Sequence, residues 1–292
     1  MSAPSGTTLK VAFIGTGLMG RPMVRCLLGG GVSVTVFNRS PGPLEELEKL
    51  GATKARNPAE AVRQAEVVIT MLPNGDVVGD VLRSGVLDAA RPGTLFIDMS
   101  SIHPALAREH AALIAAEDCQ SLDAPVSGGT VGAEAGTLAI MAGGDEADFG
   151  RAAPLLALMG RPTLVGPHGA GQLCKLVNQA IVAVTIGAVA EGLSLARAGG
   201  ADPVRVREAI LGGFAQSRIL ELHGQRMNER RFEPGGTITN QVKDLDAVLD
   251  VAARSGITLP LSQRVHELFG SMLEAGEGGL DHSALILELE RL

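Results

Sequence analysis

Cysteine is scarce in this sequence. Its three cysteines, Cys26, Cys119 and Cys174, are too few and too scattered for a disulfide framework or a CxxC zinc knuckle. We therefore expect a reducing, cytoplasmic setting. The six histidines form neither an HExxH motif nor an i, i+4 pair, so no metal site is predicted.

Positive charge is also in short supply. The 25 Lys and Arg residues against 32 Asp and Glu residues give a net charge of −7, which argues against a nucleic-acid partner because phosphate binding needs clustered cations. A few local cations still suffice for a small anionic substrate. Residues 1–8 lack the form of a signal peptide. The uncharged run 176–190 looks too short to cross a membrane, so no membrane partner is expected.

The chain has the length and apolar content of two ordinary domains. It contains 292 residues, of which 46% are hydrophobic. The pattern changes near 166–168, from strands alternating with helices to helices alone. We predict a dinucleotide-binding domain over 1–167 and an all-helical domain for substrate binding and oligomerisation over 168–292.

A glycine-rich turn follows the first apolar run. The run 9–14 reads as a strand and 21–28 as a helix, with a G-x-G-x-x-G motif between them. Glycines in this context allow a tight turn and let a pyrophosphate approach the helix N-terminus. An ordinary glycine turn is the alternative. The predicted cofactor contacts are Gly15, Gly17, Leu18, Met19 and Gly20.

The end of the second strand bears on which dinucleotide binds. Asn38, Arg39 and Ser40 stand where an NAD site carries an acidic residue for the ribose 2′-hydroxyl. A guanidinium with amide and hydroxyl neighbours suits a 2′-phosphate instead. We predict that NADP(H) is preferred and NAD(H) possible. A solvated surface arginine is the alternative.

Further strands alternating with helices predict a doubly wound, mostly parallel sheet, the α/β Rossmann arrangement. Ligands then bind outside the carboxyl ends of the strands, where Met71, Leu72, Pro73 and Ser101 lie. Each of these four, taken alone, is more typical of a loop than of a cofactor contact. A later strand runs into Ser127-Gly128-Gly129, a hydroxyl and backbone N–H groups suited to a carboxylate, although local sequence favours a plain turn.

A long apolar helix is predicted over 172–198, buried on all sides. Lys175 and Asn178 lie three residues apart and therefore project from one face. The positive end of the helix dipole should lower the pKa of Lys175, as a proton donor near neutral pH requires. A lysine extending its ammonium group to solvent explains the residue equally well.

Beyond Gly200 the sequence predicts helices throughout. The predicted helices are Pro203–Leu211, Ser217–Met227, Val242–Ser255, Leu261–Glu274 and Ser283–Leu292. Lys243 then lies in a first turn, where a cation is unfavourable and needs another reason. Leucines that look exposed, together with the long apolar helix, predict a homodimer or homotetramer. These leucines are Leu285, Leu287, Leu289 and Leu292.

At this point the whole chain resembles the β-hydroxyacid dehydrogenase family. The segments that carry the resemblance are FIGTGLMGRPM from Phe13, MLPN from Met71, IDMSSI from Ile97, LDAPVSGGTVGAEAGTLAIMAGG from Leu122, GAGQLCKLVNQ from Gly169 and VKDL from Val242. LDAPVSGG, KLVNQAIVAV, Gly212-Gly213 and DHSAL look most like the branch that reduces tartronate semialdehyde. The chain departs from the family at Thr16 and at Gln179.

The resemblance implies a Rossmann domain joined by a long inter-domain helix to an all-α domain, with the reaction in the cleft between them. It implies that Lys175 is the catalytic lysine and Asn178 its neighbour, and that Ser127, Gly128 and Gly129 bind the substrate carboxylate. Ser101 and Lys243 match positions close to the nicotinamide and substrate. The implied reaction is the reversible reduction of a short semialdehyde acid. The best guess for this reaction is the reduction of tartronate semialdehyde to D-glycerate. The alternatives are 3-hydroxyisobutyrate, glyoxylate or succinic semialdehyde as substrate, or an NADPH-binding module without turnover.

Overall fold

The computed structural model describes residues 8–292, so the polar lead of residues 1–7 lies outside the described residues. The chain divides into two compact units between Lys175 and Leu176. The predicted boundary at 167/168 stays a prediction.

The first unit is built on one sheet. Among the described residues its strands are β1 Lys10–Ile14, β2 Ser33–Phe37, β3 Thr53–Lys54, β4 Val67–Thr70, β5 Leu95–Asp98, β6 Gln120–Asp123, β7 Val126–Ser127, β8 Leu138–Gly144 and β9 Gly160–Gly166. The sheet order is β3-β2-β1-β4-β5-β6-β8-β7, with β9 paired to β8. All neighbours from β3 to β6 run parallel, whereas β6 and β7 each pair antiparallel with β8. The predicted doubly wound, mostly parallel sheet is confirmed.

Helices cover both faces of this sheet. They are α1 Gly20–Gly29, α2 Gly42–Lys49, α3 Pro58–Val62, α4 Gly75–Val81, α5 Leu87–Ala89, α6 Pro104–Ala115, α7 Gly129–Ala135 and α8 Glu146–Leu156, with a kinked helical turn Leu82–Val86 between α4 and α5. The alternation along β1 shows why two layers are needed. Val11 and Phe13 join one buried cluster, and Ala12 and Ile14 join another on the opposite face. A strand apolar on both sides requires cover on both sides.

The second unit is helical. Helix α9 Ala170–Ala198 contains the division between the units, and the later elements are α10 Pro203–Ile210, α11 Arg218–Glu229, α12 Ile238–Arg254, α13 Pro260–Glu274, a 3₁₀ turn His282–Ala284 and α14 Leu285–Leu289. Their core includes Ile186, Met227, Leu245, Phe269 and Leu285, each at most 2% exposed, which decides that this unit has an interior of its own. The predicted all-α region is confirmed.

Three boundaries differ from the sequence predictions. Helix α7 was expected to be loop, because its glycine-rich start has no side-chain cap to mark it. Helix α12 begins at Ile238 rather than Val242, since Thr237 caps it by accepting the N–H of Asn240 at 3.2 Å. Lys243 therefore lies in the second turn, not the first. Strand β9 covers Gly160–Gly166, whereas the sequence pattern predicts a strand over 163–165 only, because β9 pairs with β8 along its length.

The long helix α9 is not buried on all sides within the chain. Leu173, Val177 and Ile181, spaced four apart, are 45%, 53% and 62% exposed and form an open apolar stripe. By length and composition α9 is also the one helix in the described part of the chain suited to span a membrane. It extends past both ends of the uncharged run that looked too short. Core helices of soluble proteins meet the same two criteria.

The C-terminal leucines do not form the exposed surface that the sequence predicted. Leu285 is fully buried, and Leu287 and Leu289 pack against the helical core. Of the four, only Leu292 is exposed, at 81%, after α14 has ended. These residues pack within their own unit and so offer little to another subunit.

Candidate active site

The glycine-rich turn lies at the switch point of the sheet. Strand β1 has β2 on one side and β4 on the other, so the chain reverses its winding direction beside β1. Open α/β sheets bind ligands in the crevice outside the strand ends at such a point. Gly15 directly follows β1, and its N–H donates to Phe37 O at 2.9 Å, at the end of β2.

The three motif glycines face different constraints. A Cβ added to Gly15, where φ is +101°, would lie 2.2 Å from Met71 O, and one added to Gly20 would lie 2.0 Å from Gly15 O. Both glycines are therefore required by the protein's own packing. Gly17 is exposed, and a Cβ there would meet nothing within 4 Å. Its open backbone face at the start of α1 fits the close approach of a pyrophosphate.

Asn38, Arg39 and Ser40 lie beside this turn and have different tasks. Asn38 Oδ1 accepts the N–H of Thr16 at 3.0 Å, and its amide donates to Ser40 O at 2.9 Å. Asn38 therefore shapes the turn. Arg39 is exposed and follows β2 at the same edge of the sheet. A role for its guanidinium in binding the cofactor stays a prediction.

The predicted cofactor-binding residues after β4 and β5 lie in connections that are joined by hydrogen bonds to the neighbouring strand ends. Met71 N–H donates to Ile14 O at 2.9 Å, and Leu72 N–H donates to Ser100 Oγ at 2.8 Å. Pro73 is exposed and Ser101 partly buried in the same two connections. These contacts bring the predicted residues of β4 and β5 to the edge that carries the glycine-rich turn.

Ser127, Gly128 and Gly129 occupy the junction of β7 and α7. Gly128 and Gly129 have φ values of +137° and +62°, and both are exposed, while Ser127 is partly buried. The missed helix α7 begins at Gly129, two residues after Ser127, and has no side-chain cap at its start. Free donors at a helix start favour a negative group.

Lys175 lies in the second turn of α9 and is partly buried. One turn earlier, Gln172 donates from its side-chain amide to Ser100 O at 2.7 Å, so this end of α9 rests on the connection after β5. The first unit therefore holds Lys175, the glycine-rich turn, Ser101 and Ser127. The lowered pKa expected for Lys175 stays a prediction.

Asn178 and Lys243 belong to the second unit, where Gln179 and Asp244 connect them. The Asn178 amide donates to Gln179 Oε1 at 2.9 Å, and the Gln179 amide donates to Asp244 Oδ2 at 2.6 Å. Lys243 Nζ lies 3.5 Å from Asp244 Oδ1. Asp244 thus explains a cation at position 243, which the helix dipole alone did not. The adjacent residues Lys243 and Asp244 were the only sign of this contact in the sequence.

Two buried carboxyl groups near the strand ends were missed by sequence reasoning. Burial raises the pKa of Asp98 to about 6, against hydrogen bonds from Ser100 and Thr70 that favour the charged form, and Asp123 raises it further. Burial also raises the pKa of Asp123, although N–H groups of Gly169 and Gln172 oppose the shift. Asp98 Oδ2 is buried and has no hydrogen-bond partner among residues 8–292.

A His, Asp and His cluster in the second unit was also missed, because its members are far apart in sequence. His223, Asp281 and His282 offer ligand atoms within 4.8 Å of one another, the spacing of a metal site. Protein groups already bind this carboxylate: Asp281 accepts from Arg226 at 2.7 Å and from Gly235 and Ser283. His223 and His282 nitrogens lie 3.3 Å apart.

Both halves of the chain match known protein families. Residues 10–174 match the NAD binding domain of 6-phosphogluconate dehydrogenase. Residues 169–289 match the family described as NAD-binding of NADP-dependent 3-hydroxyisobutyrate dehydrogenase. Together the two matches extend over nearly all of the described residues.

Individual relatives match over the full length. The chain is 44% identical to 2-hydroxy-3-oxopropionate reductase of Escherichia coli (strain K12), over 97% of each sequence. The structure of 3-hydroxyisobutyrate dehydrogenase from Mycobacterium tuberculosis with L-serine superposes with a TM-score of 0.89 and 37% identity, covering 97% of this chain and 99% of that one. Psf3, in complex with NADP+ and 2-OPP, gives a TM-score of 0.85 at 25% identity, with 96% and 99% coverage.

Proposed function

The chain belongs to the 3-hydroxyisobutyrate dehydrogenase-like family of NAD(P)-dependent β-hydroxyacid dehydrogenases, and from that premise we propose that it reduces tartronate semialdehyde to D-glycerate, reversibly and with NADPH. The observation that carries the proposal is Lys175, set in α9 one turn after Gln172. The alternative of a binding module without turnover is set aside, because the relatives are dehydrogenases and reductases.

Lys175 is the proposed general acid. NADPH held at the glycine-rich turn would supply a hydride for the aldehyde carbon, and the proposed role of the Lys175 ammonium is to donate a proton to the oxygen on which negative charge develops. In the oxidative direction the neutral amine takes the proton back from the hydroxyl. Asn178 follows on the same helix face and holds the oxygen and the amine in register.

The turn Ser127-Gly128-Gly129 is the proposed carboxylate site. Its hydroxyl, its exposed glycine backbone and the uncapped start of α7 supply donors without a charged side chain. A carboxylate fixed at this turn sets how far away the carbonyl carbon can lie. A three-carbon or slightly longer acid then brings its carbonyl to the reacting position.

NADPH is proposed over NADH because of the groups that follow β2. Arg39 is exposed there, and no carboxylate stands among Asn38, Arg39 and Ser40 to bind a ribose 2′-hydroxyl. We expect Arg39→Ala to raise the Michaelis constant for NADPH roughly tenfold, the size of one charge-assisted contact, and to leave that for NADH unchanged. Steady-state kinetics with both cofactors measure this, and an equal effect on both would contradict the assignment.

The identity of the substrate is the most specific part of the proposal. The 44% identity to an enzyme named for 2-hydroxy-3-oxopropionate, which is tartronate semialdehyde, supports this choice over the alternatives. The test is a comparison of kcat/KM for tartronate semialdehyde, glyoxylate, succinic semialdehyde and, in the oxidative direction, 3-hydroxyisobutyrate. The proposal requires the highest value for tartronate semialdehyde. A higher kcat/KM for any other substrate would assign the enzyme to that substrate instead.

We also propose a homodimer or homotetramer. The open apolar stripe of α9, Leu173, Val177 and Ile181, supports it better than the C-terminal leucines do. A second copy of the chain is the proposed cover for this stripe. Light scattering at micromolar concentration tests it, and a monomer there would count against it.

A further inference from the structure

The start of α9 is fixed to the sheet by a buried carboxylate. Asp123, the last residue of β6, is 4% exposed, and its two oxygens accept N–H groups at the start of the helix. Gly169 N–H donates to Oδ1 at 2.7 Å and Gln172 N–H donates to Oδ2 at 2.8 Å. The carboxylate therefore caps α9 from outside the helix and ties it to the end of β6.

Glycine makes this close seating possible. A Cβ added to Gly171 would lie 2.3 Å from Met141 O and 2.4 Å from Asp123 O. One added to Gly143 would lie 2.6 Å from Gly171 N. Both contacts are shorter than a side chain tolerates, so the first turn of α9 rests directly on the backbone of β6 and β8.

The side chain of Gln172 makes the second attachment. It is fully buried, its amide nitrogen donates to Ser100 O at 2.7 Å, and its Oε1 accepts the N–H of Ile102 at 3.0 Å. The amide thus pairs with the connection after β5 as a neighbouring strand would. Ser100 in turn accepts Leu72 N–H with its hydroxyl and donates its own N–H to Asp98 Oδ1 at 3.1 Å.

These contacts join α9 to the ends of β4, β5 and β6, the edge at which the reaction is proposed. Lys175 lies three residues after Gln172, and side chains three apart on a helix share a face. The position of the ammonium thus depends on where Gln172 sits. We propose that Gln172, seated by Asp123, is a positioning residue for the amine of Lys175. The inference rests on the proposed role of Lys175 as proton donor.

The test is a double-mutant cycle with Gln172→Met and Lys175→Ala. Methionine keeps the length and burial of glutamine but removes both hydrogen bonds. We expect Gln172→Met to lower kcat roughly tenfold to a hundredfold, the effect of a displacement near 1 Å, with the dissociation constant for NADPH within about twofold of wild type. Gln225→Met, on an exposed glutamine that bonds Glu229, is the control and should leave kcat unchanged.

The combined variant separates positioning from general damage. If Gln172 acts through Lys175, adding Gln172→Met to Lys175→Ala lowers kcat no further, because the amine is already gone. If kcat of the double variant falls by the product of the two single losses, the inference is overturned. A wild-type kcat for Gln172→Met would overturn it as well. Full turnover by Lys175→Ala alone would instead reject the proposed function, so the two failures are distinguishable.

A second variant keeps the test decisive if methionine prevents folding. Gln172→Glu retains the acceptor for Ile102 N–H and loses the donor to Ser100 O unless it is protonated. We expect its kcat to be reduced at pH 8 and partly restored at pH 5, relative to wild type at each pH. The same cycle with Lys175→Ala then applies, and a pH-independent loss would overturn the inference.

Discussion

Each unit contains an acidic group shielded from solvent, and the surroundings shift the two pKa values in opposite directions. Asp98 in the first unit has hydroxyl and N–H donors, from Thr70 and Ser100, but no cation, and burial raises its pKa to about 6. Asp281 in the second unit is fully buried, yet contacts with His223 and Ser283 hold its pKa well below the usual range, and Arg226 forms an ion pair with it. Burial alone therefore does not set the direction of a pKa shift; the surrounding donors and cations decide it.

The largest effect should come from removing the carboxylate of the second unit. Asp281→Ala leaves Arg226 and the N–H groups of Gly235 and Ser283 without their acceptor. We expect a loss of about 3–5 kcal/mol in the free energy of unfolding, measured by urea denaturation. Asp246→Ala is the control, since that 62% exposed carboxylate contacts only His266 and should change stability by less than about 1 kcal/mol. Equal losses in the free energy of unfolding for Asp281→Ala and Asp246→Ala would contradict this prediction.

His282 should make the second unit less stable in acid. Burial, aided by the charges of His223 and Arg226 and opposed by Asp281, lowers the pKa of His282 from 6.5 to about 4. The unfolded chain then binds the proton more tightly, so stability falls as the pH drops from 6.5 to 4, by at most about 3 kcal/mol. Hydrogen exchange of peptides from 176–292 measures this. His282→Gln should flatten the dependence of stability on pH. An unchanged slope would contradict the assignment of that dependence to His282.

Asp98 should give the first unit the opposite slope. Its folded pKa of about 6 exceeds the reference value of 3.8, so the native state binds the proton more tightly. Stability of this unit therefore falls as the pH rises from 4 to 6, by up to about 3 kcal/mol. Asp98→Asn should reduce the slope, leaving the part due to Asp123, and raise protection of peptides from 8–175 at pH 8. Thr94→Val, at a buried hydroxyl away from this carboxyl, is the control and should keep the slope.

Local pattern was enough to predict most of the fold. The strand predicted over 9–14 is β1 Lys10–Ile14, and the G-x-G-x-x-G turn stands at the sheet's switch point, because hydrophobic period and glycine chemistry are local properties. Helix α7 was missed because its start carries glycines and no cap. The burial of α9 was overestimated, since composition counts apolar residues without saying what covers them.

The parts of the site that the sequence did not predict depend on distant contacts. Gln172 meets Ser100 across 72 positions and Asp123 across 49, and no motif encodes such pairs. The cluster of His223 and His282 likewise joins residues 59 apart. Lys175, by contrast, was predicted as a candidate from a single segment, because a lysine early in an apolar helix is unusual, and the family resemblance then favoured a catalytic role over a lysine that extends to solvent.

The proton donor is the claim on which the functional account depends, and one measurement tests it most directly. Stopped-flow oxidation of NADPH by tartronate semialdehyde should be at least about a hundredfold slower in Lys175→Ala than in wild type, the contribution of a general acid. NADPH should bind both with the same affinity, and Lys54→Ala, at an exposed lysine of β3, should react as wild type does. Hydride transfer at the wild-type rate in Lys175→Ala with NADPH bound would contradict the account.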